Sequence, residues 1–292
     1  MLMPFELFTP KTLSEAVQIL DRLGGECKIM AGGTDVLVSM HSGNLRPKYI
    51  MDIKNIEELQ GKAFFGETGL KIPALTTHDE VEHMPEVEIH YTALKDSVSL
   101  VGSIQTRMRG TIGGNICNAV PSGDSLGPLL AFGASLSVYG SGGWRTVEFE
   151  DFFLGAKKTA LQPGELVCLI NLPYPQPRFG SAYTKFGRRK AMDLALLGVT
   201  VCLGLDEGGC CMYARISLST AAPTPIRAKT AEEYLLGNKL DDNVLSEAAK
   251  LASREARPRS SWRASAEYRR RLIEILVPRT AKQALERIRE AI

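Results

Sequence analysis

The sequence predicts an α+β protein made of a short parallel lobe, an antiparallel lobe and a mixed C-terminal part. Three observations carry this. Strand, helix and strand patterns alternate over roughly the first fifty residues, which implies a small parallel sheet. The middle of the chain then turns to short strands separated by glycine- and proline-bearing turns, the pattern of an antiparallel sheet. The last sixty or so residues carry helical spacing behind a hairpin.

Taken in order, Thr12 stands before Leu13 with Glu15 three residues on, a capping box that leads into the apolar run Ala16, Val17, Leu20 and Leu23. A strand follows over 28–31, then the turn Gly32-Gly33, a second apolar run over 35–38 and another strand over 49–53. Strands are predicted over 70–74, 134–139 and 166–170, with a helix over 91–101 and a glycine-rich stretch over 110–127 between the first two. The prolines at 173, 175 and 177 cannot continue a strand or a helix and mark a boundary. Beyond it, 199–205 and 215–219 form a hairpin around Asp206-Glu207-Gly208-Gly209, and helices follow over 231–236, 244–254, 264–276 and 280–292. The domains are therefore placed at 1–176, with lobes over 1–57 and 58–176, and at 177–292.

Composition narrows the function. The 292 residues, 44% hydrophobic and 23% charged, match an ordinary globular protein of about two domains. A net charge of +2 is too balanced for a dedicated nucleic-acid binder. The six cysteines include no C-x-x-C pair and read as reduced thiols. No run approaches eighteen apolar residues, and no basic segment leads into an apolar core at the N-terminus, so the expectation is a cytoplasmic protein without a membrane span. Residues 254–289 hold eleven Lys/Arg against four Glu, including Arg269-Arg270-Arg271; these are either solvated helix faces or a surface for an acidic partner.

Neither G-x-G-x-x-G nor G-x-x-x-x-G-K-[ST] occurs. Gly123-Asp124-Ser125-Leu126 spells an esterase signature, but its serine would need a histidine base, and no histidine follows His90. Two glycine clusters remain, Ala31-Gly32-Gly33-Thr34-Asp35 and Thr111-Ile112-Gly113-Gly114-Asn115. Either each makes a tight turn, or bare backbone N–H groups converge there on a bulky anion, with Thr34, Thr111 and Asn115 adding side-chain donors. Two such loops from different lobes suit a diphosphate held between them.

These clusters, eighty residues apart, resemble the two FAD-binding motifs of the FAD-binding (medium) subunits of the molybdenum hydroxylase family. The resemblance covers the whole chain. It extends to Asn115-Ile116-Cys117-Asn118 with Asp124, to Phe149-Glu150-Asp151-Phe152-Phe153 and to Ala221-Ala222-Pro223-Thr224-Pro225-Ile226-Arg227. With Pro258-Arg259-Ser260-Ser261-Trp262-Arg263-Ala264-Ser265 it looks most like the bacterial xanthine dehydrogenase branch, and also like carbon monoxide dehydrogenase medium subunits. The resemblance implies a two-lobed FAD-binding domain of the PCMH/vanillyl-alcohol-oxidase type, followed by a C-terminal domain of antiparallel sheet plus helices.

It also implies a site. Lys28, Ile29, Met30, Ala31, Gly32, Gly33, Thr34 and Asp35 would wrap the FAD diphosphate, and Thr111, Gly114 and Asn115 would close its other side. Asp124 would accept hydrogen bonds from hydroxyls on the flavin side, Val167 would pack beside the cofactor and Lys185 would reach it. From the residues alone, Asp124 equally caps a turn, Val167 is plain core, Lys185 is a solvated strand lysine, and Cys117 is a buried structural thiol. No side chain is expected to act as acid, base or metal ligand, and no cysteine quartet for an extra cluster exists. Where relatives read Gln-Ile-Arg-Asn, this chain has Gln105-Thr106-Arg107-Met108, followed by Arg109; the departure bears on the approach to the flavin.

The implied role is electron transfer. A molybdopterin-binding large subunit would hydroxylate xanthine or another purine, and a small subunit with [2Fe–2S] clusters would pass electrons on. FAD in this chain would then deliver them to NAD⁺, within a heterotrimer. The alternatives are the flavoprotein subunit of a carbon monoxide, nicotinate or aldehyde enzyme, a free-standing flavin oxidase, and an assembly protein without flavin.

Overall fold

The computed structural model describes residues 3–290. The first lobe is built from β1 (Glu6–Phe8), α1 (Leu13–Leu23), β2 (Cys27–Met30), α2 (Val36–His41) and β3 (Tyr49–Asp52), with the strands parallel in the order β1-β3-β2. Thr12 caps α1 by accepting from the Glu15 amide. The reciprocal half of the predicted capping box is displaced by one residue, because the Glu15 carboxylate accepts from Lys11 N at 2.7 Å. The buried face of α1, with Leu13, Ala16, Ile19 and Leu20, packs on Met51, Ile53 and Ile56. The apolar run over 35–38 leads into α2, with Asp35 at its N-cap position.

The second lobe contains β4 (Phe64–Gly66), β5 (Gly69–Pro73), the helices α3 (His78–Glu82), α4 (Pro85–His90), α5 (Thr92–Val98), α6 (Ile104–Arg107), α7 (Ile112–Asn118) and α8 (Leu126–Phe132), and then β6 (Ser135–Gly140) and β7 (Gly143–Glu148). A small hairpin of β8 (Phe153–Gly155) and β9 (Lys158–Thr159) precedes β10 (Leu166–Pro173). Five strands pair antiparallel in the order β4-β5-β10-β6-β7. The predicted helix over 91–101 is shorter, and the glycine-rich stretch over 110–127 carries α7 and the first residues of α8, which its composition hid. Burial of Ile112, Ile116, Leu129 and Leu130 against Ile72, Leu136 and Ile170 outweighs the helix cost of the glycines, about 1 kcal/mol each. Leu166 and Cys168 of β10 reach into the core of the first lobe, so the lobes share packing.

The C-terminal part has the antiparallel order β11 (Phe179–Phe186), β12 (Leu197–Leu205), β13 (Cys211–Ser219), β14 (Ile226–Arg227), and the helices α9 (Lys229–Leu235), α10 (Asp242–Glu255) and α11 (Ala266–Glu290). Residues 197–204 of β12 are buried throughout: Val199, Val201 and Leu203 face α10 and α11, and Cys202 faces the core of the second lobe. The predicted helices over 264–276 and 280–292 are one helix that continues through Pro278. A proline inside a helix costs about 3 kcal/mol. Here one buried stripe, from Leu272 and Leu276 through Val277 and Ala281 to Ile288, spans the proline and offsets it. Ala291 and Ile292 lie outside the described residues.

The basic tail divides. Arg270 and Arg271 are exposed, but Arg269 is buried, its Nη1 donating to the Leu196 carbonyl and its Nη2 to Ser261 Oγ at 3.3 Å. Arg269 is thus a packing residue and no part of a docking surface. Farther along α11, Arg287 forks onto the Asp96 carboxylate of α5 at 2.7 and 2.9 Å, and its Nη1 also donates to Ser181 O at 2.6 Å. Asp96 accepts from Tyr183 N at 3.1 Å as well. Asp96→Ala should therefore cost about 2 kcal/mol, the scale of hydrogen bonds to a charged group. A urea-unfolding midpoint equal to that of the unaltered chain would show that this clamp does not hold the C-terminal helix down.

Candidate functional site

The two glycine clusters meet at the mouth of a cavity of about 550 Å³ between the lobes, within the range of small-molecule sites. At the end of β2 the chain turns through Gly33, whose φ of +77° favours glycine, before entering α2. The backbone N–H groups of Gly32, Gly33, Thr34 and Asp35 have no acceptor among the described residues. Four unpaired donors in one turn form a concavity for an anion.

The second cluster works differently. Thr111 caps α7, and the amides behind it are already satisfied: Ile112 N by Thr76 O at 2.9 Å, Gly113 N by Ala74 O at 2.9 Å, Gly114 N by Thr111 Oγ1 at 3.1 Å and Asn115 N by Thr111 O at 3.0 Å. Its glycines serve close approach. A Cβ on Gly113 would stand 2.6 Å from the Ala74 carbonyl oxygen, and one on Gly114 2.8 Å from Thr111 Oγ1. What this side offers a ligand is the Thr111 hydroxyl proton and the Asn115 amide, whose Oδ1 is engaged by Ser125 Oγ at 2.8 Å and whose Nδ2 has no acceptor among the described residues. The expectation of bare backbone donors thus fits the first cluster and not the second. The clusters touch where a methyl group on Gly32 would run into the Arg109 carbonyl.

Lys28, Ile29, Ala31 to Asp35, Thr111, Gly114, Asn115, Asp124 and Val167 line the cavity. Met30 packs behind the turn, its sulfur against Gly33. Lys185 is not on the wall: its Nζ donates to Asp124 Oδ2 at 2.7 Å and to Leu100 O at 3.0 Å. Tyr183 donates its hydroxyl proton to Asp124 Oδ1 at 2.8 Å, so both carboxylate oxygens are occupied and neither Asp124 nor Lys185 is the independent group that the sequence suggested. Burial raises the Asp124 carboxyl above its usual range, with Lys185 and Tyr183 opposing. Burial first, and Asp124 second, push the Tyr183 phenol well up.

The wall carries a single cationic side chain, Lys28, among the described residues. Of its four carboxylates, Asp124 is matched by Lys185, Glu165 by the Arg145 fork at 2.6 and 2.7 Å, and Asp193 by Arg189 and the amides of Arg188 and Arg189, while Asp35, at the end of the first turn, has no cationic partner among the described residues. An anion here is held mainly by dipoles, and the donor set fits a diphosphate. Cys117 is open to the cavity, which corrects its reading as a buried thiol.

Sequence reasoning missed other wall residues. His78, nearly fully buried and pulled down to about 4 by burial and then by Arg107, lies in the first turn of α3. The Thr77/Glu80 capping box, legible as T-x-x-E, was the signal that marks this helix start. Met192, Asp193 and Leu194 arrive from the β11–β12 loop, with Met192 N bonded to Gly102 O at 3.3 Å. Nothing local in the sequence marks them. In the segment that departs from the family pattern, Thr106 lines the cavity, Arg107 pairs with Glu82 at 3.2 Å, and Met108 points to solvent.

Comparison with known proteins gives a consistent result. The family model described as the FAD binding domain in molybdopterin dehydrogenase matches residues 3–175, and that of the CO dehydrogenase flavoprotein C-terminal domain matches residues 181–284. The chain is 34% identical over 276 residues to the putative xanthine dehydrogenase FAD-binding subunit of Escherichia coli K12, covering 94% of each chain. It is 32% identical over 283 residues to the carbon monoxide dehydrogenase medium chain of Afipia carboxidovorans, covering 97% of each. Among solved structures, carbon monoxide dehydrogenase from Hydrogenophaga pseudoflava lacking the Mo-pyranopterin moiety superposes with a TM-score of 0.93 at 33% identity, covering 98% of this chain and 99% of that one.

Proposed function

The chain belongs to the FAD-binding medium subunits of the molybdenum hydroxylase family, and from that premise we propose that it relays electrons from a partner's [2Fe–2S] clusters to NAD⁺. The observation that carries the binding reading is the set of unpartnered amides from Gly32 to Asp35, opposed by Thr111 and Asn115 across the cavity. When bound, FAD would supply the redox chemistry, one-electron uptake and hydride transfer. The chain's own residues do the placing. The first turn holds the diphosphate by its N–H groups, Thr111 and Asn115 close over it, and Lys28 adds the one positive charge. Val167 and Leu194 exclude water, and the Asp124–Lys185–Tyr183 group fixes the far wall. No proton is handled by a catalytic side chain, in keeping with a wall whose only histidine is kept neutral.

The molybdopterin-binding large subunit and the [2Fe–2S] small subunit complete a heterotrimer in this reading, with xanthine or another purine as substrate. The match to the Escherichia coli subunit supports the purine assignment; nearly equal identity to the carbon monoxide dehydrogenase chain favours, as a second reading, another substrate on the same scaffold. Both leave the role of this chain unchanged. No described helix is long and apolar enough to cross a membrane, and six unpaired cysteines support a reducing, cytoplasmic setting.

The test is optical. Purified protein, or protein given FAD, should absorb near about 450 nm, where oxidised flavins absorb, and anaerobic NADH should bleach the band. A colourless chain that takes up no added FAD would end the binding assignment. A loaded chain indifferent to NADH would remove NAD⁺ as acceptor and leave the binding intact, and turnover of a small molecule by the isolated chain would favour a free-standing oxidase.

A further inference from the structure

Among the described wall residues, His78 is the one with a buried side-chain polar atom that has no partner. It is 2% exposed, and its Nδ1 is sealed from solvent without a hydrogen-bond partner. Leaving a buried polar atom without a partner costs stability, so a histidine retained for packing alone would be better replaced by an apolar residue. The ring is held in place by its backbone: His78 N donates to Gly110 O at 3.0 Å, and the neighbouring Thr77 forms a bridge with Thr111. A Cβ on Gly110 would have Thr34 Oγ1 at 3.3 Å and His78 Cδ2 at 3.5 Å, so His78 and Thr34 converge on the glycine that precedes the second cluster. Burial first, and then the Arg107 charge, keep the imidazole neutral; the sealed Nδ1 is better left as a lone pair, because a buried N–H without a partner is the rarer arrangement. The ring then carries its proton on Nε2, the nitrogen that is not sealed, at the cavity wall.

We infer that His78 is a further ligand of the diphosphate, donating from Nε2–H to a phosphate oxygen beside Thr34. This rests on the FAD-binding reading above. It adds a side-chain donor to a wall that has one cation, and it needs no change of protonation on binding.

The test uses the full chain freed of flavin, with ADP, FAD and riboflavin as probes in binding titrations of the unaltered protein, His78→Leu and His78→Gln. The leucine variant should bind ADP and FAD about tenfold more weakly and riboflavin, which has no phosphate, unchanged. Glutamine, which offers an amide N–H at the same reach, should recover most of the loss. Unaltered ADP affinity in His78→Leu, or an equal loss for riboflavin, would overturn the inference, the latter by marking a structural role. Should the leucine variant fail to fold, imidazole ¹⁵N NMR of the unaltered chain decides: ADP should move the His78 Nε2 resonance, and an unmoved signal overturns the proposal. Failure of the unaltered chain to take up either FAD or ADP would instead count against the binding reading itself.

Discussion

Gly32→Ala should leave the chain without flavin and measurably less stable. Gly32 does not have a positive φ, so the cost comes from its neighbour: a methyl group there is driven into the Arg109 carbonyl, which is backbone and cannot swing away. To admit it, the first turn must separate from the segment that leads into the second cluster, and this is the seam across which a diphosphate would be gripped. Overpacking of this kind costs about 1–3 kcal/mol in stability. Because the donors on both sides lose their spacing together, FAD affinity should fall by about a hundredfold, the scale of losing two hydrogen bonds at about 1.4 kcal/mol per decade. Gly25→Ala is the control, since nothing lies within 4 Å of its added methyl, and it should stay within about 0.5 kcal/mol of the parent. Bound flavin per chain, read from the visible spectrum, checks the pair; Gly32→Ala carrying flavin at the parent's stoichiometry would refute the seam.

Lys185→Met should destabilise the fold by about 3–5 kcal/mol, the cost of leaving a buried charge without its partner. Lys185 and Asp124 side chains are 10% and 8% exposed, and Tyr183 closes the remaining face of the carboxylate. The loss should depend on pH with a definite sign. Burial raises the folded Asp124 carboxyl above its unfolded value, so the folded chain binds that proton more readily than the unfolded one. Its contribution to stability is therefore largest at low pH and declines as pH climbs from the ordinary carboxylate range to the raised folded value. Removing Lys185 takes away a lowering influence and extends that window upward. The deficit of Lys185→Met should accordingly be smaller at pH 5 than at pH 8, and Lys185→Met with Asp124→Asn should recover most of it. Urea unfolding at the two pH values measures this, and an equal deficit at both would mean that an unpaired Asp124 is not the cause.

Such predictions separate what was readable in the chain from what was not. The cap at Thr12, the parallel first lobe and the hairpin of β12 and β13 follow from residues within a few positions of one another. The glycine clusters stood out for the same reason. Their chemistry did not: whether an amide is free depends on what approaches it, and Ala74 and Thr76, nearly forty residues before α7, take two donors of the second cluster and Thr111 the other two, while no acceptor reaches the first. Asp124 and Lys185 were singled out separately, and only the approach of the segment between α7 and α8 to β11 makes them a pair. Arg269 looked like surface by composition, yet the Leu196 carbonyl and the α11 packing face bury it. Pro278 looked like a helix end because the local cost of proline is visible and the stripe that offsets it is not.

The sequence by itself determined the family, the α+β class and the two segments that would grip a diphosphate, because each rests on residue types at fixed short spacing. Tertiary structure alone decided which groups in those segments remain free to bind, that Lys185 supports the wall from behind, and that His78 and the β11–β12 loop belong to it. The reason is physical. Hydrogen-bond satisfaction, burial and charge pairing are properties of neighbours in space, and the cavity wall draws those neighbours from segments between Cys27 and Leu194 that no local pattern connects.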